Sequence, residues 1–428
     1  DGTVWIGHDL GISVFDPTRL QFTNYTADPD NERSLINNYV KSLITDAQER
    51  VWIGTDQGIS VWDPLKEPFR SLEFRPGVAS GLRGNLVYDI WEDQPGRVWL
   101  ATNNGLHLWN PETSEIVVFR HEAENPGSLQ SNIVRAVIRD SRGSLWVGTD
   151  NGLHRMIETA RGIAFEHFTA GPADGKHLNN AFVVTIKEVA DGTIWIGTWG
   201  GGINIFNPAT NTFTYLTETS EQPELRLNNN KIANILEDSK GNIWLRSGNI
   251  FDPQTRTLKP FPFSPLPDNI NFFFEDSRSR IWIGTTSNGL HYYQDGSNEL
   301  SQPRLNSALL SGSFNAMLED ASGNLWIAAD NKLVRLSSDL ATFQVFDEAE
   351  GVLAGDFSNE SVFRGSTGIF YFGGNRGITW FRPEEIFLNT AQVRIWITSL
   401  SFNNKPVLPF SGAVNDSSIL VRRSITLP

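Results

Sequence analysis

Residues 145–153 read LWVGTDNGL, and residues 51–59 read VWIGTDQGI. An apolar residue, a Trp, another apolar residue, then Gly-Thr, two polar residues and Gly-Leu/Ile describe a short strand, a tight turn and a second strand. The string recurs as VWIGHDLGI at Trp5, VWLATNNGL at Trp99, IWIGTWGGGI at Trp195, IWLRSGNI at Trp244, IWIGTTSNGL at Trp282 and LWIAADNKL at Trp326. A ninth copy, FYFGGNRGI, has Tyr371 in the Trp position. Successive spacings are 47, 47, 47, 49, 49, 38, 44 and 45 residues, the length of one four-stranded propeller blade.

Each period divides alike. An apolar stretch ends in an acidic turn, as in NLVYDIWEDQPGR or KIANILEDSKGN. The Trp strand, the Gly turn and a strand ending in Asp/Asn-Pro follow, and an aromatic strand such as FTYLT closes the period. These are four antiparallel strands, a to d, whose turns use Gly for positive φ and Pro for fixed φ. One such sheet leaves both faces bare, and stacking sheets around an axis buries them. The fold expected is all-β: a β-propeller of four-stranded blades, with the repeated Trp as packing between blades.

Bulk properties narrow the function. The chain has 428 residues and 35 basic against 49 acidic side chains, a net charge of −14, with no basic cluster. That excludes nucleic acid and anionic lipid surfaces as the main partner, since both select basic faces. With no cysteine, disulfides and thiolate metal sites are impossible. No apolar run approaches the roughly 20 residues of a membrane span. The glycines of TIWIGTWGGGINIFNP (193–208) are not a phosphate loop, because the chain continues into a β-branched strand rather than a helix.

The WIGT-x-x-G-L/I motifs, preceded by D-x-x-G and followed by FDP, resemble the two-component regulator propeller family. Its blades form the sensor region of bacterial hybrid histidine kinases and related diguanylate cyclase receptors. GIFYFGGNRGITWFRPEEI looks like the terminal blade of that family, and VRIWITSLSFNNKPVLP (393–409) like the opening of the Ig-like β-sandwich that follows it. The resemblance implies a seven-bladed ring at 85–388. Residues 1–84 would then be two blades ending a preceding propeller, with a boundary at 64–84, and 389–428 the first strands of an incomplete sandwich. A ring of eight or nine blades fits the spacing as well. The resemblance also implies a periplasmic or otherwise extracytoplasmic sensor in a larger inner-membrane receptor. Such a sensor binds an oligosaccharide or other small ligand, relays it to a kinase or cyclase, and has no cofactor. Membrane contact would come only through segments outside this chain, and a homodimer would transmit the signal.

Candidate chemistry is sparse. The turns DSRGSLW (140–146), DSKGNIW (238–244) and DASGNLW (320–326) resemble the structural Asp-box of sialidase propellers. His107, His154 and His291 begin strand c of separate blades, too far apart for one metal ion, and read as exposed strand positions. The acidic pairs Glu92-Asp93, Glu237-Asp238, Glu275-Asp276 and Glu319-Asp320 follow the repeat instead of converging. No catalytic or metal-binding residue is assigned.

Ligand-facing positions are expected where b–c turns and d–a connections share one end of the ring. Those turns carry Asn103, Asp150, Asn288 and Arg376. Fourteen residues before the aromatic stand Asn38, Asn85, Asn132, Asn230 and Asp268, with Asn180 one place off. Many such amides brace turns. Two blades depart from the repeat: Trp199 with an extra glycine, then Arg246 in a shortened turn. An aromatic face beside a guanidinium and amides suits a neutral or acidic sugar. A propeller enzyme of lyase or glycosidase type, or a protein-binding scaffold, would use the same face.

Overall fold

The computed structural model describes residues 2–386, apart from short stretches at 18–19, 29–33, 47–49, 64–68, 75–80, 161, 265–266, 268 and 304–311, together with 401–402 and 405–406. Two compact units result, Asp1–Ile386 and Phe387–Pro428. In the second, Ser401–Phe402 pairs antiparallel with Lys405–Pro406; the rest of the stretch read as sandwich lies outside the described residues.

Every repeat forms one antiparallel sheet. The Trp146 sheet runs Val134–Arg139, Leu145–Thr149, Gly152–Thr159 and Gly162–Phe168, each strand paired with the next. The b–c hairpin explains the repeated glycine. Gly152 has φ of 113°, and a Cβ there would stand 3.0 Å from the Phe168 carbonyl oxygen. Positive φ and close backbone approach both demand glycine.

Seven sheets follow one another through contacts between their first strands. Val87–Gln94 touches Val134–Arg139, which touches Val183–Glu188, and so on through Ile235–Glu237, Ile270–Glu275, Phe314–Glu319 and Phe357–Arg364. The last of these touches Val87–Gln94 again. The cycle has a seam. The Tyr371 sheet takes its fourth strand not from downstream but from Arg70–Glu73, paired with Gly377–Phe381 in the register Glu73↔Gly377 to Arg70↔Trp380. Phe69 lies 4.8 Å from Phe381, ring to ring, and Arg376 Nη2 donates to Glu73 Oε1 at 2.5 Å. The stretch expected to be a boundary therefore supplies a strand.

Core and seams are built by three repeated bonds. First, Trp99, Trp146, Trp282 and Trp326 are fully buried between sheets, and each indole N–H donates to the aspartate six residues earlier. Trp99 reaches Asp93 at 2.9 Å, Trp146 reaches Asp140 at 2.8 Å and Trp282 reaches Asp276 at 2.7 Å. Second, the glutamate that ends the first strand clamps the preceding sheet's turn. Ser141 N and Oγ donate to Glu188, Ser239 to Glu275 and Ser277 to Glu319, at 2.6–2.7 Å. Glu92 accepts from Ser366 N at 3.0 Å and from the Tyr371 hydroxyl at 3.2 Å, closing the seam in the same way. The acidic pairs thus serve packing. Third, a strand-c side chain accepts from a backbone N–H about two dozen residues upstream: Ser60 from Ile36, His107 from Arg83, His154 from Gln130, Asn204 from Asn179 and Thr379 from Leu353.

That third bond corrects the reading of the histidines. His107 and His154 are fully buried, not exposed. Each accepts at Nε2, and its Nδ1 faces a carbonyl oxygen (Gly105 and Val147), so the ring is neutral with Nδ1 carrying the proton. Burial drives both down to about 4.

The Trp5 and Trp52 sheets pack against each other through Ile12, Val51, Ile53 and Trp62. On the other face of the second sheet, Trp52 remains 38% exposed beside Ile44 and Val61, its cross-strand neighbours.

Candidate functional site

The turn after Thr198 is built by glycine. Gly200 and Gly202 N–H groups both donate to the Asn230 carbonyl, and a Cβ on Gly201 would collide with Asn179 and Asn180. The three glycines let this turn press against two d–a connections, which leaves the Trp199 indole standing out, 42% exposed. Lys231 Nζ lies 5.4 Å from the centre of that ring, a cation–π arrangement. Asn180 caps its own loop, accepting from Phe182 N at 2.8 Å.

Arg246 occupies the next sheet. Its turn closes within two residues, Ser247 and Gly248, and its N–H donates to the Asn234 carbonyl. The guanidinium is half-buried, has no hydrogen-bond partner among the described residues, and is pulled downward in pKa by burial. The charge it feels is Glu360. Glu360 sits on a bulge: Phe357 pairs with Gly374 and Val362 with Phe372, so four residues face one, and Glu360 itself has φ of 59°. Burial raises its carboxyl well above the ordinary value. Asp89 pushes the same way, while Arg246 and Lys187 oppose it. Asp89, on the neighbouring first strand, is pushed up to about 7 by burial, although Ile90 N at 2.8 Å and Val137 N at 2.9 Å donate to it.

Further polar groups line the same inner edge. The Arg135 guanidinium lies between the rings of Tyr88 and Phe182, at 4.6 and 4.8 Å. Asn359 Nδ2 donates to Asn271 Oδ1 at 3.2 Å, and Asn315 Nδ2 donates to the Phe357 carbonyl at 2.8 Å. Tyr88, Arg135, Asn271, Asn315 and Glu360 all stand eleven residues before the signature aromatic. In each of these sheets the first-strand register shifts at that place. A bulge in the innermost strand turns that side chain toward the axis. Position fourteen repeats as an amide and is legible in the sequence, whereas at position eleven the residue types vary too much to read as a motif.

The positions named from sequence fall into three groups. Asn180 and Asn230 surround Trp199. Arg246 stands with Glu360, Asp89 and Lys187 around the axis. The others are spread over separate sheets, mostly as turn braces. Asn132 Oδ1 accepts from His121 N at 2.8 Å, the same brace that Asn230 Oδ1 of the first group makes with Glu218 N. Asn103 joins Leu86 and Asn85, and Asp150 N donates to the Ile133 carbonyl. Asn288 is exposed with its N–H on Thr285, and Arg376 holds the seam strand. Asp268 lies outside the described residues. Among the described residues no cluster of three His, Asp or Glu is placed to hold a metal ion.

Residues 34–57, 128–151, 177–200, 226–249 and 308–331 each match the two-component regulator propeller repeat. Five of the nine copies are thus matched as two-component regulator propeller repeats. The chain is 28% identical over 261 residues to Histidine kinase P4 of Formosa agariphila, a match covering 57% of this chain and 18% of that protein. Its fold is that of the extracellular domain of a hybrid two-component system from B. thetaiotaomicron, with a TM-score of 0.75 and 22% identity over 96% of this chain and 55% of the other. A streptogramin B lyase shares the fold at a TM-score of 0.52 and 16% identity, over 73% of this chain and 96% of the lyase. The chain thus spans about half of the related extracellular domain and a small part of the kinase.

Proposed function

We propose that this chain is the extracytoplasmic ligand-sensing propeller of a two-component receptor, one that relays binding of an oligosaccharide or other small ligand to a kinase or cyclase. The kinase relative and the extracellular-domain likeness support the receptor and its compartment; a homodimer of the receptor belongs to the same reading. We take residues 70–386 as a single seven-bladed ring, on the strength of the cyclic contacts and the seam strand, and residues 1–62 as two blades outside that ring.

The observation that carries the ligand site is Arg246. A half-buried guanidinium without a hydrogen-bond partner is expensive to keep, and it stands at the same end of the strands as exposed Trp199. A ligand with a carboxylate or hydroxyl pair would satisfy Arg246, while a sugar ring stacks on Trp199. The measurement is a glycan-array screen followed by calorimetry on the best binder. Trp199→Ala and Arg246→Ala are each expected to weaken it about tenfold or more, roughly 1.4 kcal/mol. Equal affinity in both variants rejects the site.

A further inference from the structure

At the opposite end of the strands, between the Trp326 and Tyr371 sheets, lies a cavity of about 320 Å³, within the size range of small-molecule sites. Its floor is Phe370, Pro383 and Ile386, and two arginines, Arg335 and Arg364, stand in its wall. Both lie over aromatic rings: the Arg335 guanidinium is 5.6 Å from the Trp326 centroid and that of Arg364 6.0 Å from the Phe370 centroid. Arg364 spends one N–H on the Glu319 carbonyl at 3.1 Å.

Arg335 has a counterpart that shows what is missing. In the Trp146 sheet, Arg155 lies over Trp146 at the same distance, 5.6 Å, and donates to Glu166 through Nε at 2.8 Å and Nη2 at 2.5 Å. Glu166 is its cross-strand neighbour. In the Trp326 sheet that neighbour is Gln344. Arg335 has no hydrogen-bond or ion-pair partner among the described residues. The two carboxylates in the wall do not replace it. Asp320 is committed to Ser322 N, Asn324 and the Trp326 indole, and Glu384 stands 3.7 Å from Arg382.

We propose that this cavity is a second binding site, taking a small organic anion whose carboxylate pairs with Arg335 and Arg364 and whose apolar body rests on Phe370, Pro383 and Ile386. A guanidinium presents a rigid planar fork that suits bidentate carboxylate recognition, and the floor favours an apolar acid over a bare inorganic anion. The site is independent of the Trp199 and Arg246 face.

The test is titration of the whole chain with sodium benzoate by calorimetry, with inorganic phosphate alongside, and with the Trp326 indole N–H resonance followed by NMR. Saturable benzoate binding that shifts the Trp326 resonance, with phosphate at least tenfold weaker, is expected. Arg335→Gln is expected to weaken benzoate tenfold or more. Gln344→Glu supplies inside the protein the carboxylate that Arg155 already has, and is expected to weaken benzoate equally without disturbing the fold. No saturable binding, an unmoved Trp326 resonance, phosphate binding as tightly as benzoate, or unchanged affinity in either variant overturns the proposal.

Discussion

Asp276 does more than shape a turn. Its carboxylate is fully buried, holding the Trp282 indole at 2.7 Å and Arg280 Nε at 2.6 Å through one oxygen, while the backbone N–H groups of Arg278 and Arg280 donate to the other at 3.0 Å. Asp276→Ala strands a buried arginine and a buried indole, and is expected to cost about 3 kcal/mol, read from urea unfolding. The neutral histidines give a second residue-scale prediction. Their folded pKa values, about 4, lie below the ordinary 6.5. The unfolded chain therefore binds protons first, and their contribution is intact above pH 6.5 and lost as pH falls toward 4. The loss is on the order of 3 kcal/mol for each ring at the acid limit. Since Asn204 makes the same bond with an amide, His107→Asn with His154→Asn is expected to flatten the stability profile between pH 6.5 and 4. Asp89 runs the other way. Raised to about 7, it favours the fold while protonated, and that contribution fades as pH rises from about 4 to 7. NMR titration of its carboxyl is expected to give a midpoint near 7.

At the scale of the element, the hairpin turn and the clamp are the parts most open to test. Gly152→Ala places a Cβ against the Phe168 carbonyl at positive φ, and a loss of about 1–3 kcal/mol is expected from thermal unfolding. What the sequence disclosed at this scale follows from locality. The Trp strand, its glycine turn and the acidic turn before it lie within about twenty residues, so their bonds leave a repeated imprint. Arg70–Glu73 leaves none. Its partner strand lies some three hundred residues away, and RSLE resembles any short edge strand. The bulge that presents Glu360 is equally silent, because it exists only as a mismatch between two strands. The buried state of His107 and His154 is illegible for a related reason: a position filled by Ser, Asn, Thr or His looks solvent-facing until its backbone partner is known.

For the whole molecule, the order of the chain matters more than its composition. A chain beginning at residue 64 keeps Phe69 and the seam strand, and is expected to melt within about 5 °C of the full chain. A chain beginning at residue 81 loses Phe69 from the cluster with Phe381 and Ile386 and leaves Gly377–Phe381 as an open edge. It is expected to melt well below the first, by about 5 °C or more. Equal melting of the two would mean that the seam contributes nothing to closure.

The seam also governs how tension would pass through the molecule. The chain enters this cycle at Phe69 and leaves it at Ile386, and both side chains sit in one cluster. A pull applied between those two points loads four cross-strand pairs and the Arg376–Glu73 contact, and it bypasses the other six sheets entirely. The seam is therefore the mechanical fuse of the cycle, and whatever loosens or tightens it changes how far the two ends can separate while everything between them stays folded.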